Sequence, residues 1–163
     1  MNYRITGTGS CIPDITKKNS DFLENKFLDT DGGKFQTSNS EIIDKFNSIT
    51  GIYERRYAPD EINCSDLAAV AAGLAINDSK LDQETLDYII VAHNTGDISC
   101  SSGQVDTLPS VASKVKAKLK IKNPNCVAYD IICGCPGWVE GIIQAKSFIK
   151  SGMAEKCLVI GCD

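Results

Sequence analysis

Tyr129-Asp130-Ile131-Ile132-Cys133-Gly134-Cys135-Pro136-Gly137-Trp138 is an apolar, β-favouring run that stops at small residues and a cysteine. A proline follows and opens an amphipathic helix pattern carrying Val139, Ile142, Ile143 and Ile149, which ends at Gly152. The pattern predicts a strand-turn-helix corner with Cys135 at the helix entrance. A helix N-terminus carries about half a positive charge, which favours a thiolate there. Pro136 suits a first helical position because its missing N–H costs nothing. Gly134 and Gly137 permit a tight turn and the close approach of an acyl group. Backbone N–H groups at such a corner suit an oxyanion. Three readings stand on these residues alone: a nucleophilic Cys135, a Cys-x-Cys redox pair, and an ordinary βα corner whose cysteines are small core residues. A nucleophilic thiol needs a base partner, which the stretch itself does not supply.

Outward from the corner, strand-like and helix-like patterns alternate. Tyr88-Ile89-Ile90-Val91-Ala92 and Cys157-Leu158-Val159-Ile160-Gly161 are continuous apolar runs. Such runs mark strands of a parallel sheet buried on both faces. Arg4 to Pro13 reads as a first strand entering a Gly/Pro turn, Asn19 to Leu28 as a short helix, and Asp29 to Thr37 as a loop. Ser38 and Glu41 have capping-box spacing ahead of Ile42, Ile43, Phe46 and Ile49 on one helix face, with Gly51 as the stop. Ser65 is placed as the cap of a second helix rich in small residues. Pro109 starts a third, with Lys114, Lys116, Lys118 and Lys120 on a solvated face. Strands alternating with helices at this spacing predict a layered αβα protein with a mixed, mostly parallel central sheet. Residues 1–163 read as one domain. The end of the chain two residues beyond a buried strand reads as part of a larger protein.

The composition, 42% hydrophobic and 23% charged with a net charge of −4, fits a soluble globular protein. No basic stripe points to nucleic acid. No apolar run reaches the ~18 residues of a membrane span, and Met1-Asn2-Tyr3-Arg4 does not start a secretory signal. A cytoplasmic location is expected. The eight cysteines (11, 64, 100, 126, 133, 135, 157 and 162) contain no Cys-x-x-Cys pair and meet one histidine, His93. No metal site is expected from such spacing; reduced thiols are.

Several segments, in order, resemble the N-terminal half of β-ketoacyl-acyl carrier protein synthase III, a thiolase-fold condensing enzyme. They are Ile5-Thr6-Gly7-Thr8-Gly9-Ser10 with Pro13, Thr50-Gly51-Ile52-Tyr53-Glu54-Arg55-Arg56, Ser65-Asp66-Leu67-Ala68, Ile89-Ile90-Val91-Ala92, Asp130 to Trp138, Phe148-Ile149-Lys150-Ser151-Gly152 and Leu158-Val159-Ile160-Gly161. The resemblance implies a thiolase-like fold and assigns the nucleophile to Cys135, with Cys133 where the family usually has a small residue. It implies an acyltransferase: a decarboxylative Claisen condensation through an acyl-cysteine, using acyl-CoA or acyl carrier protein thioesters and no bound cofactor. It also implies a homodimer. The family's catalytic His and Asn lie in the C-terminal half, so the chain alone is expected to be inactive; the competing class is a non-catalytic thiolase-fold subunit. His93, Asn94, Cys133 and Trp138 are candidate lining residues. Asp44-Lys45-Phe46-Asn47 stands where the family often carries a tryptophan that helps hold the coenzyme A adenine. That departure favours a primer bound to acyl carrier protein. The loop from Asn94 to Leu108 is closer to members that join two acyl chains in dialkylresorcinol or aryl-polyene pathways. Glu54-Arg55-Arg56 reads as a salt-bridge cluster before it reads as a phosphate contact.

Overall fold

The structure, a computed structural model, describes residues 3–163. Two compact units divide them: Pro13–Pro59, and Asp60–Asp163 joined by the segment up to Ile12.

In Pro13–Pro59, β1 (Ile15–Lys18) is followed by a single 3-10 turn, Asn19–Phe22. The longer helix expected over 19–28 does not form. Asp29 organises a turn instead: its Oδ1 accepts from the amides of Asp31 and Gly33 at 3.0 and 2.7 Å. That turn brings Leu28 into a bridge with Lys34. Helix α1 (Asn39–Thr50) has the predicted capping box, with Glu41 N donating to Ser38 Oγ at 3.3 Å and Ser38 N to Glu41 Oε2 at 3.1 Å. It ends at Gly51, whose φ of 66° is left-handed. Ile43 is buried, but Ile49 is 80% exposed, so the apolar face is narrower than expected. Strand β2 (Glu54–Tyr57) pairs antiparallel with β1. Arg55 donates to Asn19 Oδ1 at 2.8 Å, and Arg56 meets Glu54 at 3.7 Å on the surface. An open cleft of about 400 Å³ in this unit is lined in part by Asp44 and Asn47, from the stretch where the tryptophan is missing.

The larger unit is built on β3 (Tyr88–His93), whose Ile89, Ile90 and Val91 are fully buried. It lies between two parallel neighbours, β6 (Val127–Ile132) and β7 (Cys157–Gly161), in the order β6-β3-β7. Helices α2 (Cys64–Ser79) and α3 (Val111–Lys118) share the core with Ile89 and Val91. Helix α4 (Gly137–Ser151) packs on the face that carries Ile90 and Ala92. A short hairpin, β4 (Asp97–Ile98) and β5 (Val105–Asp106), rises from the loop between β3 and α3. The layered α/β class is as expected, and the sheet of β3, β6 and β7 is wholly parallel.

Four local expectations change. Arg4–Pro13 forms no strand; it lies along α2, and Thr8 N donates to the Asp78 carboxylate at 2.9 Å. A Cβ on Gly9 would clash with the Ala71 carbonyl oxygen, and one on Gly7 with that of Ala75. The small residues of α2 are therefore spent on backbone contact. Asn63, not Ser65, is the N-cap of α2; Ser65 sits in the first turn and faces Asp97. Among the described residues strand β7 pairs with β3 alone; Ile160 is buried, Cys157 to Val159 are half-buried and Gly161 is exposed, where its sequence suggests a strand covered on both faces. The lysines of α3 are paired rather than free, although Lys118 remains exposed. Lys114 reaches Asp97 and Asp106, Lys116 the carbonyls of Asn123 and Cys126, and Lys118 the carboxylate of Asp66.

Candidate active site

The cysteine corner stands at the C-terminal end of the parallel sheet, where loops carry chemistry in α/β folds. Strand β6 ends at Ile132, and the chain turns through Cys133, Gly134, Cys135 and Pro136 into α4. Gly134 has a φ of 66° and accepts at its carbonyl from Gly137 N at 3.0 Å, which closes the turn. Pro136 takes the N-cap position, one residue before the expected first helical position. Gly137 and Gly141 set the height of α4 over the sheet. Their Cβ positions fall 3.1 Å from Ala92 Cβ and 2.7 Å from Val159 Cγ1, so a side chain at either position would require its neighbour to shift. The close seam brings the first turn of α4 to the strand ends. Cys133 and Cys135 are both free and exposed there.

Around the corner the structure gathers part of the expected lining. The Asn94 carboxamide oxygen lies 3.7 Å from where a Gly134 Cβ would sit. Asn94 is fixed by Asp163, whose carboxylate accepts from the Asn94 amide nitrogen and side chain, each at 2.6 Å. Trp138 packs its Cβ and ring on Gly161 and stays half-exposed.

His93 is turned elsewhere. Side chains alternate along a strand, so His93 shares the α2–α3 side with Ile89 and Val91. Its Nε2 meets Asp130 Oδ2 at 3.0 Å in a nearly dry setting. Asp130 also accepts from Val111 N at 2.7 Å and Ala112 N at 2.8 Å, the first amides of α3. Among the described residues, no hydrogen bond joins His93 to Cys135, and no cluster of three or more His, Cys, Asp or Glu residues is arranged to hold a metal ion. Asp130 and Asp163 were not singled out from sequence. The signal for Asp130 was present: an acid within a strand run otherwise apolar or aromatic must find donors when buried.

A second polar group holds the hairpin between β3 and α3. Asp97 accepts from Ser65 N and Ser65 Oγ, both at 2.8 Å, and from Lys114 Nζ at 3.0 Å. Lys114 also meets Asp106 at 2.8 Å on the opposite strand of the hairpin. Burial pushes the Asp97 carboxyl up, but the Ser65 and Lys114 donors outweigh it and hold its pKa below the ordinary 3.8. Burial pulls Lys114 down, and the bonds to Asp106 and Asp97 leave it above the ordinary 10.5. The Asp97 contribution to stability is therefore present above pH 3.8 and lost as pH falls through the lower folded value. That of Lys114 is present below pH 10.5 and lost as pH rises through the higher one. Asp97→Asn is expected to cost about 2 kcal/mol at neutral pH. It should also flatten the fall of Tm below pH 4, measured by thermal unfolding across pH; parallel curves for the two proteins would refute this assignment.

Comparison with known proteins places these features in a family context. Residues 129–163 match the model of 3-oxoacyl-[acyl-carrier-protein (ACP)] synthase III. The whole chain is 38% identical over 163 residues to β-ketoacyl-[acyl-carrier-protein] synthase III 1 of Vibrio parahaemolyticus. It is 37% identical over 164 residues to β-ketoacyl-[acyl-carrier-protein] synthase III of Neisseria gonorrhoeae. In each case the chain spans 44% of the relative's length. The crystal structure of the Aquifex aeolicus 3-oxoacyl-[acyl-carrier-protein] synthase III superposes with a TM-score of 0.73 at 34% identity, covering 98% of this chain and 44% of that one.

Proposed function

We propose that this chain, which resembles β-ketoacyl-acyl carrier protein synthase III along its entire length, supplies the acyl-accepting nucleophile of such a condensing enzyme, and that the nucleophile is Cys135. The observation that carries the reading is an exposed thiol on a glycine turn ahead of a helix N-terminus, inside the segment that matches the family model.

In the proposed reaction the Cys135 sulfur attacks the carbonyl of an acyl thioester. The carrier thiol leaves with the proton, and an acyl-cysteine remains. A malonyl thioester then loses CO2, and its carbanion attacks the acyl-cysteine carbonyl. A β-ketoacyl thioester departs, and the Cys135 thiolate takes a proton from solvent to restore the thiol. The carrier is an acyl carrier protein or coenzyme A; the Asp44-Lys45-Phe46-Asn47 stretch favours the former for the primer. No organic cofactor or metal enters this scheme. A cytoplasmic homodimer goes with it; no helix among the described residues is long and apolar enough to cross a membrane.

The competing reading is a non-catalytic thiolase-fold subunit; His93 is bound to Asp130 and makes no hydrogen bond to Cys135 among the described residues. Because the family's catalytic His and Asn lie in its C-terminal half, the 163-residue chain alone is expected to lack condensing turnover. Iodoacetamide labelling near neutral pH separates the two classes. A nucleophilic Cys135 alkylates well ahead of Cys133 and Cys100, which are also exposed. Labelling in which all three exposed thiols react alike supports the scaffold.

A further inference from the structure

Two other thiols face each other within the larger unit. Cys64 opens α2, Cys162 follows β7, and their Sγ atoms are 2.8 Å apart across 98 residues of chain. Both are partly exposed and free, and neither takes part in the chemistry proposed for Cys135. Their backbones are fixed independently: Cys64 by the first turn of α2, Cys162 by donation of its amide to Ala92 O at 3.0 Å. Cross-links usually fail on geometry, because the two sulfurs cannot meet without backbone movement. Here they already meet. The hydrogen bond with Cys64 and burial push the Cys162 thiol pKa up.

We propose that Cys64 and Cys162 are a modification site that closes to a reversible intrachain disulfide when the chain meets a small disulfide oxidant. The Cys64 thiolate attacks one sulfur of the oxidant, breaks its S–S bond and releases one small thiol. Cys162 then gives its proton to solvent, and its sulfur attacks the Cys64 sulfur of the mixed disulfide, releasing the second small thiol. Two protein thiols are oxidised and one external disulfide is reduced to two thiols. The bond ties the start of α2 to the end of β7. Asp163, the next residue, holds Asn94, and Asn94 approaches the Gly134 turn. The cross-link therefore fixes one wall of the cysteine corner without consuming Cys135.

The test treats the purified full chain with glutathione disulfide, blocks residual thiols with N-ethylmaleimide, and maps disulfides by peptide mass spectrometry. The expected product is a dominant Cys64–Cys162 cross-link, two hydrogens lighter than the dithiol, with Cys135 still alkylated. Dithiothreitol should reverse it. The oxidised chain should melt roughly 5–15 °C higher. Cys64→Ser and Cys162→Ala should each remove the species. The proposal is overturned if both thiols are recovered as maleimide or glutathione adducts, or if cross-links form mainly among Cys133, Cys135 and Cys100. Mapping the unaltered chain decides the matter whether or not either variant folds.

Discussion

Cys135→Ala is expected to reduce covalent acylation of the protein by an acyl thioester to background, a loss of about 10³-fold or more, whereas Cys133→Ala retains most of it. Both thiols are exposed, so accessibility does not separate them. Position does. Cys133 stands directly behind β6, before the turn, and its Cβ lies 3.7 Å from the Gly137 Cβ position, against the seam of α4. Cys135 comes after the left-handed Gly134 and immediately before the N-cap of α4. An acyl group on Cys135 has the orphan N–H groups of the first helical turn within the same corner. The measurement is intact mass of the chain after incubation with an acyl thioester, followed by peptide mapping. Because the Cys135 side chain is exposed, its truncation should leave stability within about 0.5 kcal/mol, so a missing adduct cannot be blamed on unfolding. Adduct retained in Cys135→Ala and lost in Cys133→Ala would sink the assignment. Acylation tests the nucleophile alone and does not require the decarboxylative half of the reaction.

What the sequence revealed follows from which interactions are local. The Ser38–Glu41 box and the Gly51 and Gly152 stops are closed by residues a few positions apart, so composition and spacing suffice. Strand β3 was legible because a strand covered on both faces needs apolar residues at every position. The same run in β7 is less covered here, since burial of a strand depends on its place in the sheet and β7 has β3 as its one partner among the described residues. Residues 4–13 misled for a related reason. Extended backbone becomes a strand only with a partner, and these glycines meet the α2 backbone instead. The lysines of α3 read as solvated because their partners are remote: Asp66 lies 52 residues from Lys118, and Asp97 lies 17 from Lys114. In the candidate site, the corner was punctuated by its own glycines and proline. His93 was placed beside it by proximity in sequence to the strand end, but strand parity turned the ring to the other face.

The same parity makes Asp130 the polar group whose loss should be most costly to stability. Ser110 caps α3 in the ordinary way, taking the amide of Ser113 at 3.1 Å. The two preceding amides, Val111 and Ala112, go to Asp130, a side chain on the adjacent strand that is 15% exposed. One carboxylate thus satisfies two orphan donors of a helix start and the His93 ring, and joins β3, β6 and α3. Asp130→Ala removes the acceptor and leaves those donors buried. Each unsatisfied group costs about 1–3 kcal/mol. They share one acceptor and do not add fully, so about 3–5 kcal/mol is expected. Against a typical domain stability of 5–15 kcal/mol this is a large fraction. It corresponds to a fall in Tm of roughly 6–20 °C for a chain of this size. Asp130→Asn should lie between, because its amide oxygen still accepts while its NH2 faces another donor. His93→Ala should cost less than Asp130→Ala. It removes one bond, leaves both α3 amides paired, and deletes a buried Nδ1 that has no partner among the described residues. A Tm for Asp130→Ala within 2 °C of the parent, or a His93→Ala penalty as large as that of Asp130→Ala, would show that the carboxylate does not hold these elements together. Asp130 lies on β6 immediately upstream of the cysteine turn, so a loosened strand end should also slow acylation of Cys135, and Asp130→Asn should do so less than Asp130→Ala.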